Sequence, residues 1–424
     1  MYETLITYLN INLFGYKIID TNQCPIQIIL LRKVSLMMNL VLVFAVVLIL
    51  GLYSGINYYI GLKELQLINS IFPFITPKVF WPFFLLIAFS YIIARFVSNI
   101  LPEPIYYIIN LVGAYWIAAM VYFIIFILAI KFVLLLDKWL SFIPSHLKTS
   151  QMSNYVTLFV TALVAIFLII GTWQARNPVT VKYELSINKD GGKTKKLNAV
   201  LISDVHLGTL VRKNQLDKMV RLINDKNPEI VFIAGDLIDD DIKPFKNQNM
   251  LESLKQIKTK YGVYYCLGNH EYYGGDSEEI AEIFRDSGIK LLKDDFTSIE
   301  NSIYIIGRED MGSSSHLKKP RKDLSSLISG LDKSKPLILL DHQPSNLKEP
   351  IGEGIDLQLS GHTHRGQFFP LNFITNAIFE NDWGYLKKND FQLIVSSGLG
   401  TWGPPIRFLN SAEIVEIKIN FNNQ

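Results

Sequence analysis

The stretch Asn198-Ala-Val-Leu-Ile-Ser-Asp204-Val-His206 decides the reading of this chain. Asn198–Ile202 is almost continuously apolar and rich in branched side chains, the pattern of a strand buried on both faces. It runs directly into an aspartate and a histidine, for which a buried strand has no packing use. On an extended segment side chains two apart point the same way, so Asp204 and His206 are expected to meet at one point in space.

Outward from this stretch, short apolar runs alternate with amphipathic ones. A helix is expected over Lys213–Asp225, with Leu216, Met219, Val220 and Ile223 on one face. The strand Ile230–Ala234, a helix near Met250–Thr259, the strand Val263–Leu267 and a helix over Ser277–Ser287 come next. A hairpin-like stretch spans Ser298–Gly307, and Pro336–Leu340, Ile355–Leu359 and Gln392–Ser396 complete the strands. Such alternation argues for a layered α/β fold.

The strands end in the same kind of chemistry. Gly235-Asp236 comes directly after Ile230–Ala234, and Gly268-Asn269-His270-Glu271 after Val263–Leu267. His342 closes the strand at Pro336–Leu340, and Gly361-His362-Thr363-His364 the one at Ile355–Leu359. Ligand crevices of α/β sheets lie outside the carboxyl ends of the strands, so these segments are expected to converge. Of the seven histidines, five (His206, His270, His342, His362, His364) lie at strand ends. One such histidine would be unremarkable as a core or surface residue; the coincidence of five argues for a metal site. His146 and His316 lie in polar loops and are given no role.

Imidazole and carboxylate donors without a thiolate suit Mn, Fe or Zn, not Ca or a structural zinc. Asp236 has two carboxylate oxygens and can bridge two divalent ions about 3.5–4 Å apart. Such a pair orients a phosphate and neutralises the charge of an in-line displacement. His270 adjoins a candidate ligand, Asn269, and is suited to protonating a leaving oxygen.

Taken together, SDVHLG, GDLID, GNHE, DHQP and SGHTHRGQ resemble, in order and spacing, the calcineurin-like metallophosphoesterases. The resemblance covers about Leu197 to Ile417. The ending SSGLGTWGPPIRFLNSAEIVEI resembles the branch holding bacterial membrane-associated phosphoesterases and hydrolases of lipid-linked UDP-sugars. The resemblance implies a four-layered α/β/β/α sandwich. It implies one metal on Asp204, His206, Asp236 and His364, a second on Asp236, Asn269, His342 and His362, and His270 as acid or transition-state stabiliser. Arg365 departs from the family, many of whose members carry Gly there. Arg365 and Arg407 are candidate substrate contacts, each with a structural alternative. Glu271 is a candidate for orienting His270 or a ligand. Asp341 is expected on the opposite side of its strand, Asp239 to Asp241 in a solvated loop, and Phe368, Phe369 and Trp402 flanking the site, chiefly as packing.

The other half of the chain is of a different kind. Half of the 424 residues are hydrophobic and 19% are charged. The charges thin out between Val34 and Gln174, where uncharged runs are long enough for the ~20-residue helix a bilayer requires. Val34–Ile60, Ile105–Ile130 and Tyr155–Trp173 are such runs. Val79 to about Leu101 is a fourth, interrupted by Arg95, which can snorkel to the headgroups. The first run begins too late and is too long for a cleaved signal peptide. The expected organisation is an interfacial N-terminal segment over 1–33, a transmembrane domain over 34–176 and a metallophosphoesterase domain over 177–424. Asn39, Ser90 and Asn110 are read as helix-packing residues, since no acidic residue or lysine falls mid-run. Lysines and arginines are balanced on the two sides, so the positive-inside rule sets no orientation.

A net charge of +3 is too mild to argue for nucleic acid. Cys24 and Cys266 are the only cysteines, which excludes a disulfide framework. The function expected is that of an integral, multi-pass protein of the cell membrane that hydrolyses a phosphate ester or pyrophosphate. Its expected partners are the lipid bilayer and a phosphate ester, with a lipid-linked one favoured by the tether. The alternatives are a transporter with a regulatory metal-binding domain, or a scaffold.

Overall fold

The computed structural model describes residues 25–98, 100–313 and 320–422. The expected segment 1–33 lies mostly outside the described residues, as does His316. By its internal contacts the chain divides into two units, Met1–Ile166 and Phe167–Gln424.

Among the described residues, four helices are long and apolar enough to cross a membrane. They are α1 (Pro25–Ile71), α2 (Pro77–Val97), α3 (Glu103–Leu140) and α4 (Ser150–Arg176). Helix α1 runs well past the expected end at Ile60, so Lys63 and Glu64 are helical too. Glu64 accepts a hydrogen bond from Thr161 Oγ1 at 2.7 Å. The apolar runs are bounded by charge, whereas the helix continues until its backbone bonding stops. At Gly113 of α3 an added Cβ would strike the backbone of Tyr91 in α2, so these helices cross at close range. The buried Asn57 accepts from Trp116 Nε1 and donates to the Tyr53 carbonyl, both at 2.8 Å. The Asn57 amide thus finds its partners inside this unit, as a lipid environment demands. Ser90 and Asn110 are buried, in keeping with packing roles.

The second unit is built on two six-stranded sheets. The first runs β1 (Val179–Ile187), β12 (Glu413–Phe421), β2 (Lys196–Ile202), β3 (Ile230–Ala234), β4 (Val263–Cys266), β5 (Ile289–Leu291). The second runs β10 (Gly384–Lys388), β11 (Phe391–Val395), β9 (Leu357–Ser360), β8 (Leu337–Leu340), β7 (Ile303–Gly307), β6 (Asp295–Ile299). Strands β2 to β5 are mutually parallel, as are β7, β8, β9 and β11. The sheets face each other across a core containing Leu201, Phe232, Ile305, Leu340, Leu359 and Ile417. Helices α5 (Lys213–Asn224) and α6 (Ser277–Arg285) cover the outer face of the first sheet. Helices α7 (Leu324–Ile328) and α8 (Lys348–Glu353) lie on the second, with Leu324, Leu327 and Ile328 in its outer core. This is the expected four-layer sandwich. Burial on both faces explains why the central strands read as continuous apolar runs.

Strands β1, β5, β10 and β12 escape sequence reading. Strands β1 and β12 pair in parallel over nine positions and are partly polar at one edge, which hides them. The compositional boundary at Arg176 also differs from the division by contacts. The last turns of α4, from Phe167, belong to the second unit. Within it the Arg407 N–H donates to the Gly171 carbonyl at 2.9 Å, and Phe167 stacks on Phe408 at 4.2 Å.

Candidate metal centre

The loops at the carboxyl ends of β2, β3, β4, β8 and β9 meet at one point. Asp204, His206, Asp236, Asn269, His342 and His364 are buried, and His362 is nearly so. Asp204 and His206 do not sit on extended backbone as expected. Their φ angles are 50° and 52°, in the left-handed region, as are those of Asp236 (49°), His362 (71°) and His364 (48°). The side chains converge because the backbone turns sharply at each, a strain held in place by surrounding bonds. The Asp204 and His206 amides donate to the Gly235 and Asp236 carbonyls, at 3.1 and 3.0 Å. The His362 amide donates to the Asp204 carboxylate at 3.0 Å, tying the two sheets together. Room for this is made by glycines. A Cβ at Gly268 would collide with the Asp236 carboxylate, and one at Gly361 with that of Asp204.

Two groups of donors result. Asp204, His206 and His364 have ligand atoms within 4.8 Å of one another, and so do Asp236, His342 and His362. His206 Nε2 faces His364 Nε2 at 3.1 Å, and Asp204 Oδ1 lies 3.4 Å from His364 Nε2. In the second group His342 Nδ1 bonds the Ala234 carbonyl at 2.8 Å, which turns Nε2 inward. That nitrogen is 3.1 Å from Asp236 Oδ2 but makes no well-aligned hydrogen bond among the described residues. Asn269 Oδ1 is 2.8 Å from His362 Nδ1. Asp236 lies between the groups, its Oδ2 3.8 Å from His206 Nε2. Facing imidazole nitrogens and an orphaned buried one are what a set of ligands shows when it is arranged around ions. The donors present therefore fit a pair of divalent cations.

The electrostatics of His362 and His364 agree with ligand duty, whereas at His342 burial is outweighed by Asp236, which raises its imidazole well above the ordinary value. Burial, reinforced by His342, pushes the His362 imidazole down to about 3. Burial with His206 and Arg407 holds His364 well below the usual range. Both are thus neutral, the form that binds metal. Burial opposes ionisation of Asp236, but His342, His270 and His206 outweigh it and keep the carboxyl well below its ordinary value.

His270 stands beside the pair, its ring 4.6 Å from that of His206. Its Nδ1 is 2.6 Å from Asp240 Oδ1 and 3.4 Å from Asp239 Oδ1. The acidic run Asp239 to Asp241 is therefore not simply solvated: His206, Asp239 and His270 form a third cluster. Glu271 is buried and accepts four bonds, from the amides of Asp236, Gly268 and Ile238 and from Tyr265 Oη, at 3.1, 2.7, 2.9 and 2.7 Å. It pins the β3 and β4 loops beneath the site. Asp341 points away, as expected, to Arg321 at 3.0 Å.

Arg407 is fully buried. Its Nε and Nη2 donate to the Gly400 carbonyl at 3.0 and 2.8 Å, and Nη2 is 3.3 Å from His364 Nδ1. It stands behind His364 and is itself closed off from solvent. Arg365 lies half-buried with its guanidinium 3.8 Å over the Trp383 ring. Phe368 is buried and Trp402 exposed, with its ring 5.5 Å from His270. Asp310 is a site neighbour that the sequence reading misses. It lies just beyond β7, is buried, and accepts from Gln343, the neighbour of His342, at 2.9 Å. The rule that finds the other loops, a polar group after a parallel strand, would flag it.

Comparison with known proteins bears on the family. The sequence model of the family described as calcineurin-like phosphoesterase matches residues 197–366. A zebrafish (Danio rerio) protein described as a transmembrane protein with metallophosphoesterase domain is 32% identical over 276 residues. That match covers 62% of this chain and 61% of the relative, so the chain spans about three fifths of that protein's length. A Helicobacter pylori protein, described as an uncharacterised metallophosphoesterase, is 30% identical over 359 residues, covering 81% of this chain and 90% of its own. Among solved structures, a Haemophilus influenzae NAD nucleotidase is similar over 50% of this chain and 46% of its own, with 16% identity and a TM-score of 0.33. With its motif set, its sandwich and a relative matched over nearly its whole length, this chain belongs to the calcineurin-like phosphoesterase family.

Proposed function

We propose that this protein hydrolyses a phosphate ester or pyrophosphate with two divalent cations, while anchored in the cell membrane by α1 to α4. One cation is assigned to Asp204, His206, Asp236 and His364, the other to Asp236, Asn269, His342 and His362. The observation that carries the reading is Asp236, set between two groups of inward-facing donors, with a His342 Nε2 at 3.1 Å that makes no well-aligned hydrogen bond among the described residues. When bound, a cation pair supplies charge neutralisation at phosphorus and activation of water at neutral pH.

The chain's own residues do the rest. His342 is oriented by the Ala234 carbonyl and His362 by its place beside Asn269. His270, its Nδ1 engaged by Asp240, presents Nε2 for proton delivery to the leaving oxygen. Arg407 acts through His364 as a positioning residue. Arg365 is held by Trp383 at the rim, where it can meet a phosphate.

The test is turnover of bis- and mono-p-nitrophenyl phosphate by the full chain in detergent, with and without Mn, Fe or Zn ions. Metal-dependent turnover that disappears in Asp236→Ala, together with about two ions bound per chain, is the expected result. No turnover and no bound metal under any condition would end the hydrolase reading.

A further inference from the structure

Around the site the catalytic unit exposes apolar side chains that its fold does not use. The short helix α9 (Asn372–Ile378) buries none of its residues, and Phe373, Ile374 and Ile378 are 64%, 56% and 67% exposed. Leu409, two residues past Arg407, is 66% exposed. These segments are joined: the Phe369 amide donates to the Phe408 carbonyl at 3.0 Å, and the Phe369 and Phe373 rings touch at 5.7 Å. At one end this wall reaches the metal centre, with Phe379 5.8 Å from the His362 ring and Trp402 beside His270. At the other end it is bonded to α4. Arg407 holds the Gly171 carbonyl, Phe408 stacks on Phe167, and Trp173 is exposed one turn from the helix end.

That last connection names the occupant. Residues 167–173 are part of an apolar helix long enough to cross a bilayer. A loop hydrogen-bonded to such a helix near its end lies at the depth of the lipid headgroups, where exposed Trp, Phe and Ile side chains are stable. We propose that Phe373, Ile374, Ile378 and Leu409 rest in the headgroup–acyl boundary of the membrane that α4 enters. The metal centre then receives its phosphoester from that boundary, as an amphiphile whose apolar part stays against the wall while its phosphate reaches the site. The substrate class rests on the hydrolase reading; the seating in lipid does not.

The experiment uses the full chain, with Cys24→Ser, in phosphatidylcholine vesicles. An environment-sensitive dye is attached at Ile374→Cys or, for comparison, at Lys258→Cys, exposed just before the amino end of β4. Lipids with nitroxides near the top of the acyl chain are expected to quench the first dye and not the second. Absence of quenching at 374 would overturn the seating, and so would a blue shift without quenching, since protein would then cover the face. In parallel, Phe373→Ser with Ile374→Ser and Ile378→Ser is expected to lower the ratio of vesicle-borne to soluble phosphodiester turnover by about tenfold. An unchanged ratio would overturn delivery from the membrane. If the wild type with metal turned over neither substrate, the hydrolase reading would fail, and quenching alone would still decide the seating.

Discussion

Replacing Glu271 with alanine removes the acceptor shared by three backbone amides and a tyrosine hydroxyl in a buried site. Each donor left unpaired costs about 1–3 kcal/mol. The low end of that range, summed over the four donors, gives about 4 kcal/mol. Two effects reduce it. Burial, and then the nearby Asp236, already raise the Glu271 pKa, so the carboxylate is itself held at a cost. A water entering the space can also satisfy a donor or two. A net loss of about 3 kcal/mol results, or a thermal midpoint lower by roughly 6–12 °C for a unit of this size. Because the Asp236 amide is one of the donors, metal affinity is expected to fall as well, by about tenfold to a hundredfold. Glu271→Gln keeps the volume but turns an amide toward two donors, and is expected to lie between wild type and alanine. The assay is thermal unfolding of the full chain in detergent with chelator, followed by calorimetric titration with Mn²⁺. A Glu271→Ala protein melting within a degree or so of wild type, with unchanged affinity, would refute the claim that this carboxylate holds the two loops together.

Asp240→Asn is expected to reduce kcat by roughly tenfold to a hundredfold with metal content intact, because the His270 ring loses the carboxylate that fixes it. Metal analysis beside steady-state kinetics checks both halves. Gly361→Ala drives a methyl into the Asp204 carboxylate, so metal binding is expected to be lost while far-UV circular dichroism stays that of wild type. Arg407→Met leaves the Gly400 carbonyl without these donors and is expected to cost about 1–3 kcal/mol on denaturation. A raised KM with unchanged stability would instead return Arg407 to a substrate contact.

Much of the second unit is legible in the sequence because a strand covered on both faces must be apolar throughout, and Ile230–Ala234 and Leu337–Leu340 are so. Each such run ends abruptly in polar chemistry, and the sheet topology brings those ends together. Edge strands such as β10 give no signal, since Tyr385 and Lys387 face water and the alternation is short. The site is legible as a set of residue types, but its local form is not. Left-handed backbone at Asp204 and His206 leaves no mark in residue identity, because neither is glycine. Glu271 and Asp240 are hard to rank for a related reason: a loop carboxylate looks the same in sequence whether it meets water or three amides. Composition reveals the membrane helices but not their ends, since a helix can carry charged residues beyond the apolar stretch.

The donors of the centre come from both sheets: Asp204, His206, Asp236 and Asn269 lie beyond strands of the first, and His342, His362 and His364 beyond strands of the second. The centre is therefore a seam. A cation shared across it has affinity only for the closed sandwich, so occupancy and closure are thermodynamically linked, and each strengthens the other. A substitution deep between the sheets, at Leu340 or Phe232, would then register first as weakened cation retention, well before the fold itself gives way.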